Sequence, residues 1–145
     1  LIDQDAYLNR EPPKSLDRNH FGYLLNELDE CESTENRVAT LTHFTVESIV
    51  QSMRRWLPKR AAAVYICGGG WKNQFMVSAL RDRLNEEGSE VRVEDIGRLG
   101  FNADFIESQA FAYLAIRHVK KLPGTFKRTT GTSEPVTCGA YFPCK

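Results

Sequence analysis

Six consecutive residues have the spacing best suited to chemistry: Gly68, Gly69, Gly70, Trp71, Lys72 and Asn73. An apolar run, Ala61 to Cys67, stops at the three glycines, and a helical pattern begins just after them. Glycine lets a backbone approach a ligand closely, and a helix start offers N–H groups to an anion. A strand, a glycine-rich turn and a helix therefore suit a phosphate or a nucleotide. A turn with no ligand is the competing reading. The P-loop needs GxxxxGK[ST]. Here Lys72 follows Gly70 after one residue and no Ser or Thr comes next, so that pattern fails. The dinucleotide pattern GxGxxG finds Gly68 and Gly70 in place but Asn73 at its third glycine. Glu94 or Asp95 would have to supply its acidic residue about 20 positions on. The remaining reactive types are dispersed. His20, His43 and His118 do not cluster, and read as structural. The four cysteines, Cys31, Cys67, Cys138 and Cys144, form no CxxC pair and have no histidine at zinc-like spacing. No metal site is expected, and Cys67 reads as a small buried hydrophobe.

The elements that must position the glycine turn follow from periodicity. Glu11 to Ser15 is a break containing Pro12 and Pro13. Asp17 to Leu28 suits a short helix, and Asp29 to Asn36 a polar loop. From Asn36, Val38, Leu41, Val46, Ile49, Val50, Met53 and Leu57 recur at helical steps until Pro58 ends the helix. Ala61 to Cys67 suits a strand buried on both faces, as in a parallel sheet. Met76, Val77, Leu80 and Leu84 mark a second helix, with Asn73 as N-cap and Gly88 as stop. Glu90 to Glu94 alternates like a more exposed strand, and Asp95 to Asn102 is a loop. Ala103 to Lys121 reads as a helix with Ile106, Ala110, Leu114 and His118 along one side, closed by Pro123 and Gly124. Phe101, Phe105, Phe111 and Tyr113 are expected in the core. Thr129 to Pro135 is a turn, and Val136 to Phe142 suits a last strand. The order is α/β with crossover helices, although about three strands are few for an independent sheet.

Bulk properties narrow the field. With 145 residues the chain is about one domain. Nineteen cations balance nineteen carboxylates, and a net charge of zero argues against nucleic acid as a partner. The basic pairs Arg54-Arg55, Lys59-Arg60 and Lys120-Lys121 fall near helix ends, where cations suit the helix dipole, and Lys127-Arg128 reads as solvated. No signal peptide or membrane-length apolar stretch is visible, so no membrane partner and a reduced, cytoplasmic setting are expected. The chain opens at Leu1 rather than Met, which suggests a processed chain or a piece of something longer.

A third glycine pattern, the GGGxxN turn of sugar kinases in the actin/Hsp70-like superfamily, matches Gly68 to Asn73. With three further blocks in order, the chain resembles the C-terminal part of the anhydro-N-acetylmuramic acid kinases. Pro12 to Phe21 (PPKSLDRNHF) resembles PPKSTGRExF, and Ala39 to Ile49 resembles the helix ATLTxLTAxTI. Val64 to Leu84 resembles GGGxxNxxLMxxL. Asp95 to Gly124 and Thr130 to Pro143 resemble LGxxxDxxEAxAFAxLAxRxxxGxP followed by TGAxxxVxLGxxxP. Leu16-Asp17 stand where the family pattern has Thr-Gly, Ser108 where it has Ala, and Thr132 where it has the Ala of TGA.

The resemblance implies a partial ribonuclease H-like (actin-like ATPase) lobe, a short, mainly parallel sheet flanked by helices. Residues 1–145 would be the C-terminal nucleotide-binding lobe of a two-lobe sugar kinase. The family's first-lobe GTSxDG loop and its catalytic aspartate are not in this sequence. The implied reaction opens the anhydro bridge of 1,6-anhydro-N-acetylmuramic acid with water and phosphorylates O6 from ATP with Mg²⁺, so this chain alone should be inactive. Gly68, Gly69 and Gly70 would meet adenosine or its ribose. Asn73 would cap the helix and face the nucleotide, and Lys14 and Ser15 would border it. Glu107 would contact the amino-sugar substrate. The sheet's open edge would invite pairing with another chain, so a homodimer is among the expectations. Two other functions compete: a non-catalytic nucleotide- or sugar-binding module of the same fold, and a dinucleotide-dependent oxidoreductase.

Overall fold

A computed structural model describes residues 2–17, 19–28, 30, 32–57, 61–88 and 90–143, with Glu87 by its backbone alone. Pro58 as helix terminator, the Lys59-Arg60 pair, Cys31, Cys144 and the opening Leu1 lie outside the described residues.

The longest element is helix α3, Thr34–Trp56. It is preceded in chain order by two short helices, α1 (Ala6–Asn9) and α2 (Leu24–Glu27). Ser33 starts α3 by accepting the Asn36 N–H at 3.2 Å, and Arg54 and Arg55 fall in its last turn. Thr42, Val46 and Val50 recur every four residues and are the buried stripe of α3. Strand β1 (Ala63–Ile66) follows, then helix α4 (Gln74–Asn85) and strand β2 (Arg92–Asp95). The strands pair in parallel, with Ala63 opposite Arg92 and Ile66 opposite Asp95. Parallel neighbours need a crossover rather than a tight turn, and α4 is that crossover.

Val46 and Val50 of α3 meet Val77, Ala79, Leu80 and Leu84 of α4, with Val91 and Val93 beside them. Met53, Trp71 and Met76 pack against this cluster. Val91 and Val93 are buried while Arg92 is exposed, the alternation that the sequence predicts for this strand.

Several expectations are corrected. Of the residues expected on the apolar face of the first long helix, Val38, Ile49 and Leu57 are exposed. The first strand is Ala63–Ile66, and every residue in it is half-buried rather than buried on both faces. Its one partner among the described residues is β2. Cys67, expected inside, is exposed beyond the strand end. The segment from Asp17 to Leu28 is a 3₁₀ turn at His20–Tyr23 followed by α2, not one helix. Val136 to Phe142 forms no strand: Val136 makes a single antiparallel bridge to Thr125.

The largest correction concerns helix α5, Ile106–Val119, which has no buried residue. Phe101, Phe105, Phe111 and Tyr113 are exposed, Phe111 by 73%. Helical spacing announces an apolar face but not what covers it. Besides the bridge between Thr125 and Val136, the described residues of the closing segment form the one-turn helix α6, Lys127–Thr130.

A charged contact between side chains crosses the helix pair. Arg83 of α4 donates to Glu47 of α3 through Nε at 2.7 Å and Nη2 at 2.8 Å. The Arg83 hydrogen bond holds the Glu47 carboxyl below its ordinary value near 4.5, although burial pushes the other way. A lowered carboxylate pKa stabilises the fold above the unfolded value and is lost as pH falls through the folded one. Glu47→Gln should cost about 1–2 kcal/mol at neutral pH. It should also flatten the loss of stability below pH 4.5. Urea titrations of both proteins across that range check it.

Candidate functional site

The parallel pairing sends the chain out of both strands at the same edge of the sheet, the end where open α/β sheets place ligands. From β1 it passes through exposed Cys67 to Gly68 and a 3₁₀ turn over Gly69–Lys72. From β2 it passes through a 3₁₀ turn at Ile96–Leu99 and left-handed Gly100 toward α5.

The three glycines are there for different reasons. Gly68 has φ 74° and ψ −166°, a conformation essentially confined to glycine. Gly69 does not have positive φ, and a side chain added there would meet no atom within 4 Å. Neither crowding nor conformation requires glycine at Gly69. At Gly70 a β-carbon would touch Met76 Sδ at 3.6 Å, an ordinary contact. Asn73 is the cap that the sequence predicts: its Oδ1 accepts the Met76 N–H at 3.1 Å, and its carbonyl accepts Val77 N–H at 3.0 Å. The backbone of residues 68–70 thus lies open beside the N-terminus of α4, whose dipole favours an anion.

The two exits are tied together. Gly68 N–H donates to Ala103 O at 3.0 Å, and Lys72 Nζ lies 2.8 Å from Asp104 Oδ1. Glu107, exposed in the first turn of α5, is three residues beyond Asp104. The fold therefore brings the glycine turn, Asn73 and the start of Glu107's helix to one edge. Sequence reasoning missed Lys72, Asp104 and the Ala103 carbonyl. Asp104 carried a signal: Asn102 Oδ1 accepts its N–H at 3.0 Å, the kind of local turn that Asn favours.

Lys14 and Ser15 are not brought there. Lys14 Nζ donates to the carbonyls of Tyr7 and Leu8 at 2.9 and 3.0 Å, and lies 4.8 Å from the Tyr7 ring centre and 5.9 Å from that of Trp56. Trp56 ends α3, so Lys14 is fixed to the end of α3 that feeds β1. Burial and the nearby charges of Arg10 and Arg55 push its pKa down. Ser15 is exposed.

The histidines act structurally. His20 Nε2 lies 3.3 Å from Asp5 Oδ2, His43 packs edge-on against Phe75, and His118 Nδ1 lies 2.8 Å from Cys138 O. Asp5 is buried, which raises its pKa. Hydrogen bonds from Leu8 N–H, the Tyr23 hydroxyl and His20 outweigh this and lower it. Among the described residues no group of three or more His, Cys, Asp or Glu side chains could hold a metal, and no helix is long and apolar enough to cross a membrane.

A family model described as anhydro-N-acetylmuramic acid kinase matches residues 1–144. Curated relatives carry the same name. The chain is 40% identical over 141 residues to that of Methylobacterium nodulans, covering 92% of this chain and 33% of the relative. It is 41% identical over 130 residues to that of Methylorubrum populi, covering 90% and 32%. It is 36% identical over 144 residues to that of Rhodospirillum rubrum, covering 99% and 36%. The chain thus spans about a third of the length of the curated relatives it matches.

Two substitutions separate conformation from capping in the turn. Gly68→Ala should cost about 1–3 kcal/mol because alanine is strained there. Asn73→Ala should cost about 1 kcal/mol by removing the cap of α4. Chemical denaturation measures both. A cost near zero for Gly68→Ala would show that the turn adopts another conformation in solution.

Proposed function

The chain belongs to the anhydro-N-acetylmuramic acid kinase family, and from that premise we propose that it forms the C-terminal, nucleotide-binding lobe of a two-lobe, cytoplasmic sugar kinase with an actin-like ATPase fold. The complete protein would use ATP to convert 1,6-anhydro-N-acetylmuramic acid to N-acetylmuramic acid 6-phosphate in peptidoglycan recycling. Water would add at the anomeric carbon, and the bond from that carbon to the bridging oxygen would break. The released O6 would then take the γ-phosphoryl group, with ADP leaving. The general base would come from the other lobe.

The observation that carries this reading is Gly69. It is a glycine without positive φ and with open space beside it. What favours a bare backbone there is room for something outside the chain. Adenosine or its ribose, lying flat against residues 68–70, fits that surface. The N-terminus of α4 would add a favourable field for the phosphates. Asn73 would keep that terminus formed, and Glu107 would offer its carboxylate to a sugar hydroxyl from the start of α5. Lys14, held by the Tyr7 and Leu8 carbonyls, and Ser15 would take no part in the glycine contact. Mg²⁺ would arrive with the triphosphate and neutralise charge on its oxygens, and the described residues hold no carboxylate cluster for it.

Calorimetric titration of this chain with ATP tests the reading. Gly69→Ala should change stability by less than about 0.5 kcal/mol. It should weaken ATP binding about tenfold, the equivalent of 1.4 kcal/mol. Given ATP and the anhydro-sugar, the chain alone should form no sugar phosphate. Absence of ATP binding by the unmodified chain, or equal affinity in Gly69→Ala, would overturn the assignment of the glycine turn.

A further inference from the structure

Helix α5 carries Glu107, yet it buries none of its residues. Phe111, Tyr113, Ile116 and Val119 are all more than half exposed. Ile106 at the start of α5 is half-buried, so apolar cover there is partial and polar contacts must share in setting where it stands relative to the glycine turn. Two such contacts are present: the Gly68 N–H to Ala103 O bond and the Lys72–Asp104 ion pair. The first is a single hinge. The second lies at the far end of the 3₁₀ turn, and two separated contacts define an orientation as well as a distance. Both partners are braced. Lys72 is the last residue of the 3₁₀ turn and is followed directly by the Asn73 cap. Asp104 is held through its own N–H by Asn102, and Phe105 N–H donates to Asn102 O at 3.1 Å.

We propose that Lys72 and Asp104 are a positioning pair that sets the glycine turn against the segment leading into α5, and so fixes where Glu107 stands relative to a bound nucleotide. The statement about the turn stands on geometry. The statement about the nucleotide rests on the function proposed above. The side chains of Lys72 and Asp104 are 66% and 57% exposed, so the pair is modest in strength and open to screening by salt.

Amide hydrogen exchange at Gly68 in this chain reads the clasp without any ligand, because that N–H exchanges only when the turn leaves Ala103. Lys72→Met and Asp104→Asn should each speed exchange about two- to fivefold, the range of an exposed ion pair. The double variant should exchange no faster than either single one, because both remove the same interaction. The reversed pair, Lys72→Asp with Asp104→Lys, should return to within about twofold, and about 1 M salt should speed the unmodified chain. Unchanged exchange in the single variants, or effects that multiply in the double variant, would overturn the proposal. Titrating the same variants with ATP separates the two claims. If the unmodified chain binds no ATP, the nucleotide reading fails while exchange still decides the clasp. If Lys72→Met loses ATP affinity with Gly68 exchange unchanged, Lys72 touches the ligand directly and is not a positioning residue.

Discussion

Two parallel strands cannot be joined by a tight turn, and much of this fold follows from that restriction. Because β1 and β2 run the same way, α4 must return the chain across the sheet, and both strands release the chain at one edge. The glycine turn and the segment leading into α5 therefore meet, through Gly68 to Ala103 and Lys72 to Asp104. The return helix also closes the core. Val77, Leu80 and Leu84 face Val46 and Val50 of α3, while Glu47 and Arg83 hold the two helices together at their polar margin.

The glycine turn shows how one composition can hide different constraints. Gly68 answers a backbone requirement, since its conformation suits no side chain. Gly69 answers no such requirement: its φ is not positive and the space beside it is open. Asn73 serves folding first by satisfying the Met76 N–H. A cap and a ligand contact are compatible here, because an ordered helix N-terminus is what an anion would meet.

Polar and aromatic contacts organise the chain away from this edge. Tyr7, His20, Phe21 and Phe44 form a chain of tilted and edge-on ring contacts that seats the N-terminal segment on α3. Lys14 belongs to that arrangement through the carbonyls of Tyr7 and Leu8. Its place there reflects a cation closing the end of α1, where exposed carbonyls favour positive charge. Phe111, Tyr113, Ile116 and Val119 of α5 are left exposed, and the buried core lies elsewhere.

Local chemistry was legible in the sequence by itself. The Asn73 cap, the alternation around Arg92 and the strand–glycine–helix order depend on near neighbours and on periodicity, and all three are present, whereas of the expected α3 stripe Val46 and Val50 are buried while Val38 and Ile49 are exposed. The ordered blocks also pointed to the family, because motif spacing survives in one dimension. Burial did not follow. Cys67 and the aromatics from Phe101 to Tyr113 were placed inside on composition, but a side chain is buried only when another element arrives to cover it. Tertiary structure alone decided that Lys72 meets Asp104, that Gly68 meets Ala103 and that Lys14 sits beside Trp56 at the end of α3. The reason is geometric: these pairs are distant in sequence, and only the parallel register of β1 with β2 and the return of α4 bring the two loops to one edge.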